Sequence, residues 1–276
     1  MVLAINIANI NIFIMEKAIN DYNLYAEDKY QIWKDRFTWL KRGKDPQPRF
    51  GIMRFIRETD EIEKVIESGV PTNSNELFNT INRLADKYIA WVRVKDGSVQ
   101  DYSEDDYNDM HNHFVGAMGE YFFVYLLTEV RCILSYNQRK EFARFDFRYT
   151  ALYRGKDFGI DLTSIVSSED DDMSCALQVK FWNPFEDGET PDMSVFQKLG
   201  FEAYRNEYAD PKKDHNLFLC WLGDESVIYS LLSNNEPLQK AVSVIGKRSL
   251  DATVNNRNRF FWVGLFQSLV DFKNAE

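Results

Sequence analysis

The sequence has few cysteines. Cys132, Cys175 and Cys220 are far apart in 276 residues and form no CxxC spacing. They are too few for a disulfide framework or a four-ligand zinc site. We therefore expect free thiols in a reducing cytoplasm.

The sequence also lacks a long hydrophobic run. Spanning a bilayer takes about 20 consecutive apolar residues, and no segment approaches that length. Residues 1–15 imitate a targeting signal, but they have no basic n-region, and Asn6, Asn9 and Asn11 interrupt them. Partial alternation favours an edge strand there, and Met15 is an alternative natural start. The sequence therefore predicts a cytoplasmic protein without membrane contact.

Positive charge is scarce as well. The 33 Lys and Arg residues stand against 43 Asp and Glu residues, a net charge of -10. Because phosphate binding draws its affinity from Lys and Arg, this balance argues against a protein that coats nucleic acid nonspecifically. A nuclease of this charge must concentrate its basic residues, or else its basic clusters are merely solvated surface. The first candidate cluster is Lys41, Arg42, Lys44, Arg49, Arg54 and Arg57, and the second is Lys247, Arg248, Arg257 and Arg259.

Apolar residues, 45% of the chain, are ample for a sizeable core. In the first third, segments 16–40 and 74–94 carry them at helical intervals. Turn-forming residues at 45–48 and 69–71 lie between these segments. An acidic linker at 96–109 then follows. We therefore predict a mainly helical N-terminal region over residues 1–105.

Beyond it, residues 106–276 show an α/β pattern. The order of elements is helix, three strands, helix, strand, which predicts a central mixed sheet flanked by helices. The predicted helices cover 114–130 and 193–208, and the predicted strands cover 142–153, 158–166, 175–182 and 216–222.

The strand 175–182 has an unusual face. Because side chains alternate along a strand, Gln178 and Lys180 lie on one face with Ala176, opposite Leu177 and Val179. Two adjacent polar groups among buried neighbours are costly unless they have a task. We therefore single out these two residues.

The preceding strand repeats the arrangement. Asp161 and Thr163 share one face, and Ile160 and Leu162 share the other. If the two strands pair, Asp161 lies beside the Gln–Lys pair. A helix supplies the third piece: Glu120 is the only charged residue from 114 to 128, and an acid on so apolar a helix needs a cation.

Three short motifs carry a family resemblance. They are Gly119–Glu120 on a helix, Gly159–Ile160–Asp161 ending a hairpin, and Gln178–Val179–Lys180 on the next strand. In order and spacing they resemble the PD-(D/E)xK nucleases, with the QxK variant of Mrr-like restriction endonucleases. The resemblance covers about residues 112–222. It implies a restriction-endonuclease-like core.

The resemblance also implies a metal-dependent endonuclease. Mg²⁺, with Mn²⁺ as a substitute, would take oxygen ligands from Glu120, Asp161, the Gln178 side chain and the Val179 backbone carbonyl. Lys180 would hold, orient or deprotonate the attacking water. We expect Glu120, Asp161, Gln178 and Lys180 to converge on one polar pocket. The implied partner is nucleic acid, mainly double-stranded DNA in restriction or anti-phage defence, with a homodimer or a defence-complex partner.

Other interpretations stay open. The strand residues could form a structural network at a sheet edge, and Glu120 could pair with a neighbouring Arg or Lys. Asp157 is a rival acid, but it falls in a predicted turn. His111 and His113 lack the HNH spacing and do not share a helix face, which favours surface or helix-start roles. The whole protein could be a silent module that binds nucleic acid or protein, or a nuclease for RNA or branched DNA.

Overall fold

The computed structural model describes residues 51–96, 102–130, 132–135, 142–152, 160–167, 172–181, 217–233, 242–254 and 258–274. The predicted elements at 16–40 and 193–208, most of the first basic cluster, Asp157 and Arg257 lie outside these ranges. The helices are α1 (Ile52–Glu58), α2 (Glu61–Ser68), α3 (Ser74–Asp96), α4 (Glu104–Glu129), α5 (Glu225–Leu232), α6 (Lys247–Thr253) and α7 (Arg259–Asn274). The strands are β1 (Cys132–Ser135), β2 (Phe142–Leu152), β3 (Leu162–Ser167), β4 (Asp172–Lys180), β5 (Leu217–Trp221) and β6 (Val242–Ile245).

The helical character of the first third is confirmed where it is described. Helix α3 matches the predicted segment 74–94, and the turn before it begins at Gly69, whose φ of 120° favours glycine. Phe55 of α1 packs edge-on against Tyr88 of α3, with ring centroids 5.6 Å apart, and against Phe114 of α4 at 5.9 Å. An aromatic cluster therefore joins these three helices.

The predicted acidic linker over 96–109 is wrong from Glu104 onward. Helix α3 continues to Asp96, and α4 begins at Glu104, well before residue 114. The Ser103 hydroxyl accepts from the Asp106 amide at 3.3 Å, and the Asp106 carboxylate accepts from the Ser103 amide at 2.9 Å. Acidic residues are favourable in a first turn because the helix dipole is positive there. The charge run that suggested a solvated linker is thus a helix start.

In the part of the chain that the structure describes, six strands form one mixed sheet in the order β1-β2-β3-β4-β5-β6. Neighbours from β1 to β4 pair antiparallel, and β4, β5 and β6 pair in parallel. The predicted α/β class with a mixed sheet is confirmed. The four predicted strands match β2 to β5, whereas β1, β6 and helices α5 to α7 were not foreseen. Strand β4 begins at Asp172, inside the predicted acidic loop, because it pairs with β3 from that residue onward.

One face of the sheet is closed by α5. Ala176 and Leu219 pack in a buried cluster with Ile228 of that helix, and Ile160 joins them. The predicted grouping of Ile160 with Leu162 is therefore wrong. Strand β3 begins only at Leu162, so its alternation does not extend back to Ile160.

Residues Gln47–Glu276 form one compact unit. Within it, α3 packs on α4, and α7 packs on α1 and α2. The boundary between residues 105 and 106 stays a prediction. Among the described helices, none is long and apolar enough to cross a membrane.

The side chains of two of the three cysteines are described. Cys175 and Cys220 are buried and belong to no disulfide among the described residues. Burial raises the pKa of the Cys175 thiol to about 12. Since the thiolate is the reactive form, this thiol is chemically quiet.

Candidate active site

Asp161 is anchored at the point where β3 begins. Its amide donates to the Leu177 carbonyl at 3.0 Å, and its Oδ2 accepts from the Val179 amide at 2.8 Å. The Asp161 carboxylate thus lies beside β4 and is hydrogen-bonded to the main chain of that strand. This bond fits a catalytic acid and a structural edge network equally well, so other observations must separate the two interpretations.

The register of β3 and β4 sets what lies beside Asp161. The paired positions end at Leu162 with Leu177, and the hydrogen bonds of Asp161 reach Leu177 and Val179, the two chain neighbours of Gln178. In a strand, the N–H and C=O of one residue point to the same side. The Val179 carbonyl therefore faces the side on which Asp161 lies. The grouping of Asp161 with Gln178 and Val179 in one ligand set stays a prediction.

Gln178 is the unusual member of this group. Its side chain is only 4% exposed, and its Oε1 accepts no hydrogen bond from any residue in the described ranges. Leaving a buried acceptor unsatisfied costs about 1–3 kcal/mol. A buried carbonyl oxygen is the kind of atom that a hard cation binds.

The donor set as a whole fits a divalent ion only in part. Within the described residues, no group of three or more His, Cys, Asp or Glu side chains could hold a metal. The predicted set contains just two acids, Glu120 and Asp161, and completes its shell with neutral oxygens from Gln178 and Val179. Such a set suits Mg²⁺ by ligand type, but its low charge predicts weak binding.

Lys180 ends β4. It lies on the same face as Gln178 and is half-buried. In the parallel pairing with β5, Gln178 is next to Leu219, and Lys180 is next to Trp221. The ammonium therefore belongs to the C-terminal edge of the parallel part of the sheet. Ligands bind characteristically at that edge in open α/β sheets.

Helix α4 meets the end of β4 at Gly119. A Cβ there would lie 2.3 Å from Cγ of Phe181, so no larger residue fits without movement. The close approach of Gly119 and Phe181 brings the two motif-bearing elements into contact. Glu120 directly follows Gly119, and Lys180 directly precedes Phe181. Glu120 is half-buried, and its Oε2 atom is buried. Convergence of all four predicted side chains on one pocket stays a prediction.

Sequence reasoning gave Gly119 no packing role. Its requirement for a small residue comes from a partner 62 positions along the chain, as the numbers 119 and 181 give. No local pattern encodes such a distant contact.

Two residues of the second basic cluster, Lys247 and Arg248, lie at the same edge of the sheet as Lys180. Lys247 and Arg248 open α6 directly after β6, and β4, β5 and β6 run parallel. With strands about 4.8 Å apart, two strand spacings separate β4 from β6 by roughly 10 Å. Arg248 is exposed, and its guanidinium lies 3.5 Å from the Asp224 carboxylate. Arg259 is exposed at the start of α7.

A buried acid that sequence reasoning missed holds α6 in place. Glu225 is 1% exposed. Its Oε1 accepts from the Ser249 amide at 2.8 Å, the Ser249 hydroxyl at 3.0 Å and the Gly246 amide at 3.2 Å, while its Oε2 accepts from the Arg248 amide at 3.1 Å. Four donors thus satisfy one carboxylate. Glu225 fixes the segment that carries Lys247 and Arg248.

His111 and His113 lie inside α4, the helix that carries Gly119 and Glu120. Nε2 of His111 is 3.4 Å from the Asp86 carboxylate on α3, and His113 is exposed. The helix-start interpretation is wrong, because α4 begins at Glu104. A surface role fits both residues.

No family model, curated protein or solved structure matches this chain. The likeness to PD-(D/E)xK nucleases therefore rests on the three motifs and on the order of the elements that carry them.

Proposed function

We propose that this chain is a metal-dependent endonuclease of the PD-(D/E)xK type. The observation that carries the proposal is the buried Oε1 of Gln178, which accepts no hydrogen bond from the described residues and lies one position before Val179, whose amide donates to the Asp161 carboxylate. A buried acceptor with a purely structural role is ordinarily hydrogen-bonded, because leaving it unpaired opposes folding. A restriction-endonuclease-like core is the finer part of the proposal, supported by a long helix followed by antiparallel strands and then a parallel one.

Glu120, Asp161, Gln178 and the Val179 carbonyl would hold the ion. When bound, Mg²⁺ or Mn²⁺ would neutralise charge on the phosphoryl oxygens and favour ionisation of water. Asp161 is kept in place by the Val179 amide, and Gln178 is kept in place by burial. Both side chains are thus preorganised, which limits reorganisation during the reaction.

Lys180 would supply a positively charged side chain, its ammonium, to the proposed active site. It would orient the attacking water through its N–H donors and stabilise negative charge that develops on phosphate. Its place beside Trp221 at the end of the strand leaves it half-buried, where an ammonium interacts more strongly with phosphate than in water.

Double-stranded DNA is the proposed substrate. An acidic protein must gather positive charge to meet a polyanion, and Lys247 and Arg248 lie at the edge of the sheet where Lys180 ends. Cutting both strands efficiently takes two active sites, so the proposed assembly is a homodimer or a complex with a defence partner. The setting, restriction or anti-phage defence, follows by analogy with Mrr-like enzymes. RNA and branched DNA are the alternative substrates.

A second candidate is a catalytically silent module that binds nucleic acid or a protein partner. One observation favours it: the described residues contain no cluster of three metal-binding acids, histidines or cysteines. Such a module would keep the sheet edge and its cations without turnover.

A cleavage assay separates these candidates. The full chain is incubated with plasmid, linear duplex, branched duplex, single-stranded DNA and RNA, each with Mg²⁺, Mn²⁺ or EDTA. Cleavage of the duplex with metal and none with EDTA is expected. Metal-independent cleavage would contradict the proposed chemistry, and binding without any cleavage would favour the silent module.

A further inference from the structure

Phe260 is the most exposed large hydrophobic side chain among the described residues. It is 95% exposed, and Val94 follows at 79%. A single exposed apolar residue is common and carries no function by itself. The surroundings of Phe260 give it significance.

The backbone that presents Phe260 is firmly packed. The next two residues, Phe261 and Trp262, are buried. The Phe261 ring lies 5.4 Å from that of Tyr125, and the Trp262 ring stacks on Phe122 at 6.0 Å with an interplanar angle of 2°. The exposed ring therefore projects from a rigid helix, which lowers the entropic cost of placing a ligand on it.

The chain around Phe260 is strongly basic. Residues 247–260 carry four Lys or Arg residues and one acid, Asp251, so their net charge is 4 − 1 = +3 in a chain of net charge -10. Arg259 and Arg248 are exposed. Positive charge so concentrated is complementary to a polyanion.

We propose that Phe260 and Arg259 form a nucleic-acid-binding surface, the stacking surface, on which one unpaired base stacks against the ring. An aromatic face accepts any base, and a neighbouring guanidinium neutralises the adjacent phosphate. The inference rests on the proposed function, because it assigns this chain a nucleic-acid substrate. It adds that the substrate presents an unpaired base, at a strand end, a gap or a distorted step.

A second copy of this chain fits the stacking surface less well than nucleic acid does. A twofold dimer through this surface would set the two basic segments against each other. Like charges facing across an interface cost several kcal/mol in general. One ring also offers far less apolar area than a stable protein interface needs.

Binding in EDTA tests the stacking surface without cleavage. A fluorescent single strand of about ten nucleotides is titrated with the full chain, and anisotropy is measured. Phe260→Ala should weaken Kd roughly 5- to 150-fold, as the loss of one stacked base predicts. Phe260→Trp should bind like the wild type. Phe260→Leu, which stays apolar without an aromatic face, should bind as weakly as the alanine variant.

Two further variants give the electrostatic arm and the control. Arg259→Glu should weaken binding of every strand and reduce its salt dependence, because a phosphate contact is lost. Val94→Ala removes an equally isolated apolar side chain on α3 and should leave Kd unchanged. Since Phe260 is exposed, thermal melting should show all its variants folded.

Four outcomes would overturn the stacking surface. Equal binding by Phe260→Ala would overturn it alone, and so would full binding by Phe260→Leu, which would indicate a generic apolar contact. A change of oligomeric state in Phe260→Ala, measured by sedimentation, would reassign the ring to a protein interface. Failure of the wild type to bind the single strand while it binds duplex DNA would overturn this inference alone, whereas failure to bind either would overturn both this inference and the proposed function.

Discussion

Two buried polar side chains, Glu225 and Gln178, are treated in opposite ways by the same fold. The Glu225 carboxylate accepts four hydrogen bonds from the start of α6, whereas Oε1 of Gln178 accepts none from the described residues. Both side chains are at least 96% buried, since their exposed fractions are 1% and 4%. A satisfied group contributes to stability, and an unsatisfied one opposes it. The contrast gives Glu225 a structural role and supports the functional role that we propose for Gln178.

The largest expected effect tests the functional half of this contrast. Asp161→Asn keeps the shape while removing a ligand charge, and Lys180→Ala removes the ammonium while keeping the acids. Each should lower the cleavage rate by about 10² to 10⁴-fold, the usual contribution of a group that handles the reacting water. The measurement is single-turnover cleavage of the best substrate. Lys180→Ala should preserve metal affinity, measured by calorimetry, far better than Asp161→Asn does.

Matched controls come from α3. Asp86→Asn and Lys87→Ala alter exposed residues of the same types and should cleave at the wild-type rate. If the folded Asp161→Asn and Lys180→Ala variants also cleave at that rate, the chemistry lies elsewhere in the chain.

The next effect tests the contrast through stability. Glu225→Ala leaves buried donors without an acceptor and should lower the free energy of unfolding by about 2–4 kcal/mol. Gln178→Met keeps the volume but removes an unsatisfied group, so it should be neutral or stabilising. Urea denaturation measures both. A destabilisation of Gln178→Met as large as that of Glu225→Ala would show that Gln178 has a structural partner, and would end the contrast.

Gln178→Glu sharpens the contrast from the metal side. The variant adds the ligand charge found in the commoner motif, so it should tighten Mn²⁺ on the order of tenfold. Calorimetry or paramagnetic relaxation of water protons gives the affinity without any turnover. Asp86→Glu is the matched control, since Asp86 is an exposed acid on α3 that is not among the proposed ligands. Unchanged affinity in Gln178→Glu would remove this side chain from the ligand set.

The strands were predictable because their signal is local. Alternation along 175–182 and 158–166 predicted β4 and β3, and the two strands pair with Leu162 opposite Leu177. The unsatisfied state of Gln178 was not predictable, since it depends on every neighbour in three dimensions. Glu225 was missed for the same reason: its four donors lie 21 to 24 residues along the chain. The failure at Ile160 had a local cause, because the strand starts two residues later.

The smallest expected effect concerns the acidic start of α4, where charge was taken for a linker. Hydrogen bonds from the Ser103 side chain and amide hold the pKa of the Asp106 carboxyl below its ordinary value of 3.8. A depressed pKa means that the folded state favours the ionised form. Its stabilisation is present above the ordinary pKa and is lost as pH falls through the folded pKa.

Asp106→Asn removes the charge at every pH. The wild type should therefore be slightly more stable than the variant at pH 7, and the gap should close as the pH falls below about 3.8, the ordinary aspartate value. Urea midpoints of both proteins across that range give the gap, and Asp105→Asn, an exposed neighbour in the same turn, controls for general charge loss. A gap that stays constant with pH would show that the capping carboxylate does not stabilise this helix start through its charge.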